Sequence, residues 1–331
     1  GWLMVMSKNK IPAALRVVVC GPAHPDAGVM QVKFWGTSRA IGRQLKMLSH
    51  FHLRVASPRL SVGPAQQLRY GLLLDKHRID LGLCRRWLDH CTASHRGTCQ
   101  APRWAATLEK LSCGTGFYLI DVVNNTLVHK SAAADECAYA ALSYVWGPPE
   151  RFSSLLYLTS ANAGSLLARR NSITPRVGQT IWDAMAVARA LGLRYLWADR
   201  LCIVQDSAAD KAAQVRQMDR VYGGAAITIV AATGAHLDAG LAGVGAPRAV
   251  AQLARQVTRR PPVNVLLPVA TNRNRDGDGT TSPWATRAWT LQEKLLSRRL
   301  LVFRDGAVDF CCARGTLHED MSAADAHSDP P

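Results

Sequence analysis

The rhythm of apolar and polar positions changes along this chain, and each change marks an element. CAYAALSYVWG (137–147) is nearly all apolar and is closed by Gly147 and two prolines, which predicts a buried strand. In TIWDAMAVARALG (180–192), Ile181, Met185, Ala188 and Leu191 recur at helical spacing. Thr180 and Asp183 suggest a capping box, and Gly192 suits the position after the last turn. RYLWADRLCIV (194–204) reads as a strand, SAADKAAQVRQMDRVYGG (207–224) as a helix capped by Ser207 and Asp210, and AAITIVAA (225–232) as a third strand. A Gly/Asn/Asp-rich loop, TNRNRDGDGTTSP, precedes RAWTLQEKLLSRRLLVF (287–303), a helix running into a strand. VDFCC is a last short strand.

Upstream, RRWLDHCTASHRGTC (85–99) opens as a helix and ends as a polar loop, and GFYLIDVVNNTLVHK turns at Asn124-Asn125 like a hairpin. Residues 1–80 show no sustained period and are expected to be a basic, irregular extension. The expected division is 1–80, a lead-in of helix and hairpin at 81–136, an α/β body at 137–305, and a short strand with a disordered tail at 306–331. Alternating strands and helices imply a mainly parallel sheet flanked by helices. In such sheets functional groups collect beyond the carboxyl ends of the strands. Trp146, Gly147 and Asp199 fall there, as does the small-residue loop after TIVAA.

A hydrophobic share of 48% over 331 residues supports a sizeable core and argues against wholesale disorder. The net charge of +16 is mostly Arg. It reads either as an Arg-rich surface or as an electrostatic footprint for an anionic membrane, nucleic acid or phosphorylated ligand. The charges are dispersed, and no RNP-like or zinc-finger pattern accompanies them, so no specific nucleic-acid binding is expected. Nine cysteines, an odd number in a long chain, fit a reducing compartment better than a disulfide framework. IPAALRVVVC is interrupted by Arg16 and is not expected to be a signal peptide; VYGGAAITIVAATGAHL is short for a bilayer span, so no transmembrane segment is expected. Cys84, Cys91, His95 and Cys99 are soft ligands at short spacing, but the pattern is not a standard zinc one and no CxxC exists. A Cys/His-containing helix and loop is the expectation, with no metal. Walker A, G-x-G-x-x-G, H-E-x-x-H and G-x-S-x-G are all missing from the sequence.

YAALSYVWG, TIWDAMAVARALGLRYLWADRLCIVQD, QVRQMDRVYGGAAITIVAA with GL following, and RAWTLQEKLLSRRLLVF together resemble the heterokaryon-incompatibility (HET) domain of filamentous fungi. WLDHCTASHRGTC and FYLIDV resemble the usual lead-in. The domain would span 137–305. Three departures stand out. Ala198-Asp199-Arg200 replaces Ile-Asp-Ser, Lys211 follows Asp210 where Trp is frequent, and Arg287-Ala288-Trp289 replaces Arg-Gly-Trp.

The resemblance implies a cytoplasmic effector of fungal non-self recognition and programmed cell death, acting with itself or with other incompatibility proteins. It also implies a distant similarity to TIR domains, hence a TIR-like, flavodoxin-like fold. Many TIR domains cleave NAD with a glutamate one turn after a tryptophan, in a helix that precedes a strand. Trp289 and Glu293 match those two positions. On that reading Glu293 is catalytic, and Trp289, Asp199, Asp206, Trp146, Gly147 and Arg287 contribute to nucleotide binding, with NAD as a substrate rather than a resident cofactor. Other readings stay open. Glu293 fits a solvated helix position, a structural ion pair with Arg287 or Arg298 or a structural hydrogen bond, or a cap; Asp199 and Asp206 fit turn residues that accept backbone N–H groups. Tyr144, Trp182, Trp197 and Met218 read as core. Whether the chain is an enzyme is therefore undecided by sequence. The alternative is a non-enzymatic signalling module acting through homotypic contacts, and a basic membrane-docking surface is a third reading.

Overall fold

The computed structural model describes residues 15–20, 29–37, 45–55, 73–100, 117–129, 138–148, 150, 153–252, 254–259, 262–266 and 282–320. The expected disordered tail and most of the Gly/Asn/Asp-rich loop lie outside these residues. The chain divides into two units. One comprises 1–74, 252–270 and 320–328; the other comprises 75–251, 271–319 and 329–331.

The first unit corrects the expectation of an irregular amino-terminal region. Strands β1 (Leu15–Cys20), β2 (Val29–Thr37) and β3 (Leu45–Val55) form an antiparallel run, extended by β10 (Pro262–Leu266) and β9 (Ala254–Arg259). Isolated β-branched and aromatic residues in fragments such as LRVVVC and VKFW carry the β-propensity, but without the alternation that would announce a strand with one wet face.

Among its described residues the second unit holds a mixed sheet of eight strands. In chain order these are β4 (Tyr118–Asp121), β5 (Thr126–His129), β6 (Tyr139–Ser143), β7 (Tyr195–Trp197), β8 (Ile227–Ala231), β11 (Arg299–Phe303), β12 (Val308–Cys312) and β13 (Gly315–His318). Their spatial order is β13-β12-β11-β8-β6-β7-β4-β5. The centre, β11-β8-β6-β7, is parallel, while the hairpins β4-β5 and β12-β13 attach antiparallel at either side. The mainly parallel expectation thus holds for the centre only. β6, β8 and β11 are buried along their whole length, as their apolar runs require.

After β6 the chain crosses to β7 on one side, and after β7 it returns to β8 on the other side of β6. The carboxyl ends of β6 and β8 therefore flank a topological switch point, where crevices form in parallel sheets.

Among the described residues the α-helices are α1 (Leu81–Ser94), α2 (Ala163–Ala168), α3 (Gln179–Ala190), α4 (Asp199–Cys202), α5 (Ala208–Val215), α6 (Met218–Gly224) and α7 (Ala288–Leu296). α3 ends as the sequence suggests. Gly192 has φ 74°, its N–H bonds Arg189 O, and Leu193 N–H bonds Ala188 O, a Schellman motif. Its start differs. Gly178, at φ 96°, is the cap; Thr180 Oγ1 accepts Gly240 N–H and Asp183 accepts Leu241 N–H, so both side chains hold the 237–241 loop rather than cap the helix.

The strand expected at 194–204 stops after three residues, and the chain turns into α4 at Asp199. The long helix expected at 207–224 is two, α5 and α6, broken at Gln217. Ser207 caps α5 through Asp210 N–H as expected, although the Asp210 carboxylate accepts from Val204 N–H instead of closing a box. Among the described residues no helix is long and apolar enough to cross a membrane. The described cysteines Cys84, Cys91, Cys99, Cys202, Cys311 and Cys312 are free thiols.

Candidate active site

Glu293 lies on α7, which packs against α6, and its side chain is half-buried rather than solvated. Its carboxylate accepts a hydrogen bond from the hydroxyl of Ser143, the last residue of β6. The direction of that bond follows from a third residue. Trp284 Nε1–H, a donor only, points at Ser143 Oγ over 2.5 Å. The hydroxyl accepts from the indole and so turns its own proton toward Glu293. Trp284 is itself fixed in an apolar cluster with Val230, Ala232, Leu300 and Val302.

Tyr222, buried on α6, completes the surroundings. Its hydroxyl reaches both Leu142 O, at 3.2 Å, and the Glu293 carboxyl. Burial pushes the Glu293 carboxyl up to about 7, with the Ser143 bond pulling down, the Asp199 charge pushing up and Arg287 pulling down. Among the described residues no ion pair ties Glu293. Arg287 instead donates to Tyr144 O at 2.6 Å, and Arg298 donates to Gly224 O and Ala225 O. Among the described residues Glu293 is thus hydrogen-bonded rather than ion-paired, which fits both a catalytic carboxylate and a structural hydrogen bond.

Asp199, directly after β7, is the second carboxylate. Its Oδ1 accepts from Tyr144 Oη (2.9 Å), Trp146 Nε1 (3.1 Å) and Arg200 N–H (2.7 Å), and Oδ2 accepts from Trp146 Nε1 at 3.0 Å. Burial raises its pKa despite these donors. Tyr144 is buried, as a core residue should be, but its hydroxyl serves Asp199. Arg200, the bulky departure, does not intrude on the carboxylates. Its guanidinium lies 5.3 Å from the Trp146 ring centroid and 5.2 Å from that of Tyr157, and it donates to Leu155 O and Leu156 O. It clamps the 155–157 loop and the indole that holds Asp199.

Of the residues singled out from sequence, Glu293, Asp199, Trp146 and Arg287 come together at the carboxyl ends of β6 and β7. Gly147 follows Trp146 at φ 79°, a left-handed turn that suits glycine. Asp206 stands elsewhere: it is exposed and bonded to Ser160 N–H and Oγ at 2.9 and 3.2 Å, the turn role. Trp289 is the second residue of α7, and its side chain lies outside the described residues. A groove of about 430 Å³ lined in part by Leu156, Leu166, Arg169 and Arg170 contains no member of the carboxylate cluster.

Sequence reasoning missed Ser143, Tyr222 and Trp284. A usable signal existed for the first: Ser143 is the lone hydroxyl of small size in the apolar run AYAALSYVW, and a buried polar group needs a partner.

Of Cys84, Cys91, His95 and Cys99, the last three gather with Cys312, while Cys84 is buried apart from them near Asp80 and Glu319.

The heterokaryon incompatibility protein (HET) family model matches residues 139–293, from the first residue of β6 to Glu293 itself. No curated protein and no solved structure matches the chain. The matched segment contains β6, β7 and β8, the switch point and both carboxylates. A heterokaryon incompatibility (HET) domain is thus detected at residues 139–293 of this chain.

Proposed function

We propose that this chain acts in heterokaryon incompatibility and cell death as a nucleotide glycosidase that hydrolyses NAD at the carboxylate cluster. The observation that carries the reading is Glu293: a half-buried carboxylate beside the switch point, hydrogen-bonded by Ser143 and Tyr222, with no ion pair among the described residues and its pKa raised to about 7. A helix-borne glutamate leading into a central parallel strand also agrees with the TIR-like arrangement that the sequence resemblance implies.

The chemistry asks little of the protein. The N-glycosidic bond breaks, its electron pair passes to the nicotinamide nitrogen, and the pyridinium leaves neutral. The ribose carbon becomes an oxocarbenium-like cation, which water captures with loss of a proton. An ionised Glu293 stabilises that cation and can hold a ribose hydroxyl. The cationic pyridinium favours ionisation of Glu293 when the substrate arrives. Arg287, whose charge acts on both carboxylates, would supply positive charge for the pyrophosphate. Asp199 is a positioning residue, since protein donors occupy it. The chain would work in the cytoplasm, where NAD is available, as an assembled oligomer.

Two results test this. NAD consumption should rise more steeply than linearly with protein concentration and vanish in Glu293→Ala. No consumption at any concentration, together with intact homotypic binding, would favour the adaptor reading. Ser143→Ala should cut kcat/KM and move its acidic limb above about 7, because the lost hydrogen bond is one that lowers the Glu293 pKa. An unmoved pH profile would detach Ser143 from the reaction.

A further inference from the structure

We propose that Cys91, His95, Cys99 and Cys312 form a structural zinc site, independent of the carboxylate cluster. The ligand atoms of these four residues all lie within 4.8 Å of one another. A tetrahedral centre with Zn–S near 2.3 Å and Zn–N near 2.0 Å needs ligand atoms roughly 3.5–3.8 Å apart. Cys312 Sγ and His95 Nδ1 are already 3.7 Å apart. The set is Cys₃His, one of the closed donor sets of structural zinc.

Local structure explains why spacing alone concealed it. Cys91 and His95 are four residues apart at the end of α1, so they share one face, one turn apart. The chain then curls: Thr98 N–H and Cys99 N–H both bond His95 O, at 3.1 and 2.9 Å, which returns Cys99 to the same point. The fourth ligand comes from the end of β12, more than two hundred residues later, delivered by the β11-β12 register that pairs Arg299 with Cys312.

The surroundings suit a metal–thiolate centre. Three thiolates, one neutral imidazole and one divalent ion leave a net charge of −1, and binding releases three thiol protons. Arg299, itself buried, donates from Nε to Cys91 Sγ at 3.1 Å and is anchored by Ala226 O at 3.1 Å. A guanidinium against a ligand sulfur offsets that charge and orients the ligand from outside the coordination sphere. Cys91 and Cys99 are buried, and His95 and Cys312 are half-buried. Four protein ligands leave no open position, so the site braces the fold rather than catalyses. It would join α1 and its following turn to the end of β12, the strand whose Phe310 packs against Trp87 with centroids 6.1 Å apart.

The test is metal analysis of the full chain expressed with zinc and purified under reducing conditions. One zinc per chain is expected in the wild type and in Cys311→Ser, whose thiol neighbours the set without belonging to it. Near-complete loss is expected in Cys312→Ser. His95→Cys, which makes the set four thiolates, should retain zinc where His95→Ala does not. Should Cys312→Ser fail to fold, cobalt(II) exchanged into the wild type decides. Thiolate-to-cobalt charge transfer with intense tetrahedral d–d bands is the expected spectrum. Wild-type protein without bound metal, a Cys91–Cys312 disulfide in its place, or an octahedral cobalt spectrum would each overturn the proposal.

Discussion

Replacing Glu293 with Gln is expected to raise the melting temperature at pH 8 and to leave it nearly unchanged at pH 4. The folded carboxyl titrates at about 7 against an ordinary 4.5, chiefly because burial penalises the charged form. Between those two values the folded chain holds more proton than the unfolded chain. Stability therefore falls as pH rises through this window, and the penalty is complete above about 7. The size is on the order of 2–3 kcal/mol at full ionisation, which Glu293→Gln removes while keeping the shape and an acceptor for Ser143. Thermal unfolding of both proteins across pH 4–9 measures the difference. A Gln variant that is less stable at pH 8 would mean that the charge is being stabilised by the fold, as in a structural role. A position where the neutral isostere improves the fold is one where the charged residue serves something other than stability.

The largest structural loss is expected at Glu319→Ala. Arg248 and Glu319 are 1% and 3% exposed and meet through two parallel bonds, Nη1 to Oε2 at 2.8 Å and Nη2 to Oε1 at 2.5 Å. Every remaining guanidinium direction is used: Nε donates to Asp75 O at 2.8 Å, Nη2 to Arg78 O at 2.6 Å and Nη1 to Gly306 O at 2.9 Å. Glu319 in turn accepts from Val308 N–H and Asp80 N–H at 3.2 and 3.4 Å. The pair thus joins the start of α1, the 248 loop and the β11-β12 hairpin. Removing the carboxylate strands a buried guanidinium, at a cost of about 3–5 kcal/mol. Replacing both partners together with Met and Leu should cost markedly less, since no buried charge is then left over. Denaturant unfolding of the three variants measures this. A Glu319→Ala change within ordinary surface effects would show that solvent reaches the guanidinium.

These two positions also show what the sequence made legible. Glu293 was visible because the WTLQE helix and RRLLVF strand carry both a local period and a family wording. The strands β6, β8 and β11 were visible for the simpler reason that a fully buried parallel strand must be an unbroken apolar run. Glu319 was not visible, because nothing local marks a carboxylate in HED as the partner of an arginine seventy-one residues earlier. Cys312 was missed for the same reason, since three ligands share one helix end and the fourth arrives through sheet register. The split of the 207–224 helix and the short β7 show a different limit. Apolar spacing continues through both, while the Asp199 carboxylate accepts Arg200 N–H where β7 gives way to α4, and Gln217, at φ −111°, interrupts the longer helix. In residues 1–80, propensity without alternation concealed three strands.

The most direct test of Glu293 as the reacting carboxylate is nicotinamide release from NAD by wild type and Glu293→Gln, followed from pH 5 to pH 9 at high protein concentration. The predicted result has two parts: wild-type kcat/KM climbs with pH through about 7 and then levels, as an ionised Glu293 requires, and the Gln variant stays at background throughout although it is the more stable protein at pH 8. Release by Glu293→Gln at the wild-type rate would contradict the account, and so would a wild-type rate that falls as pH rises through 7.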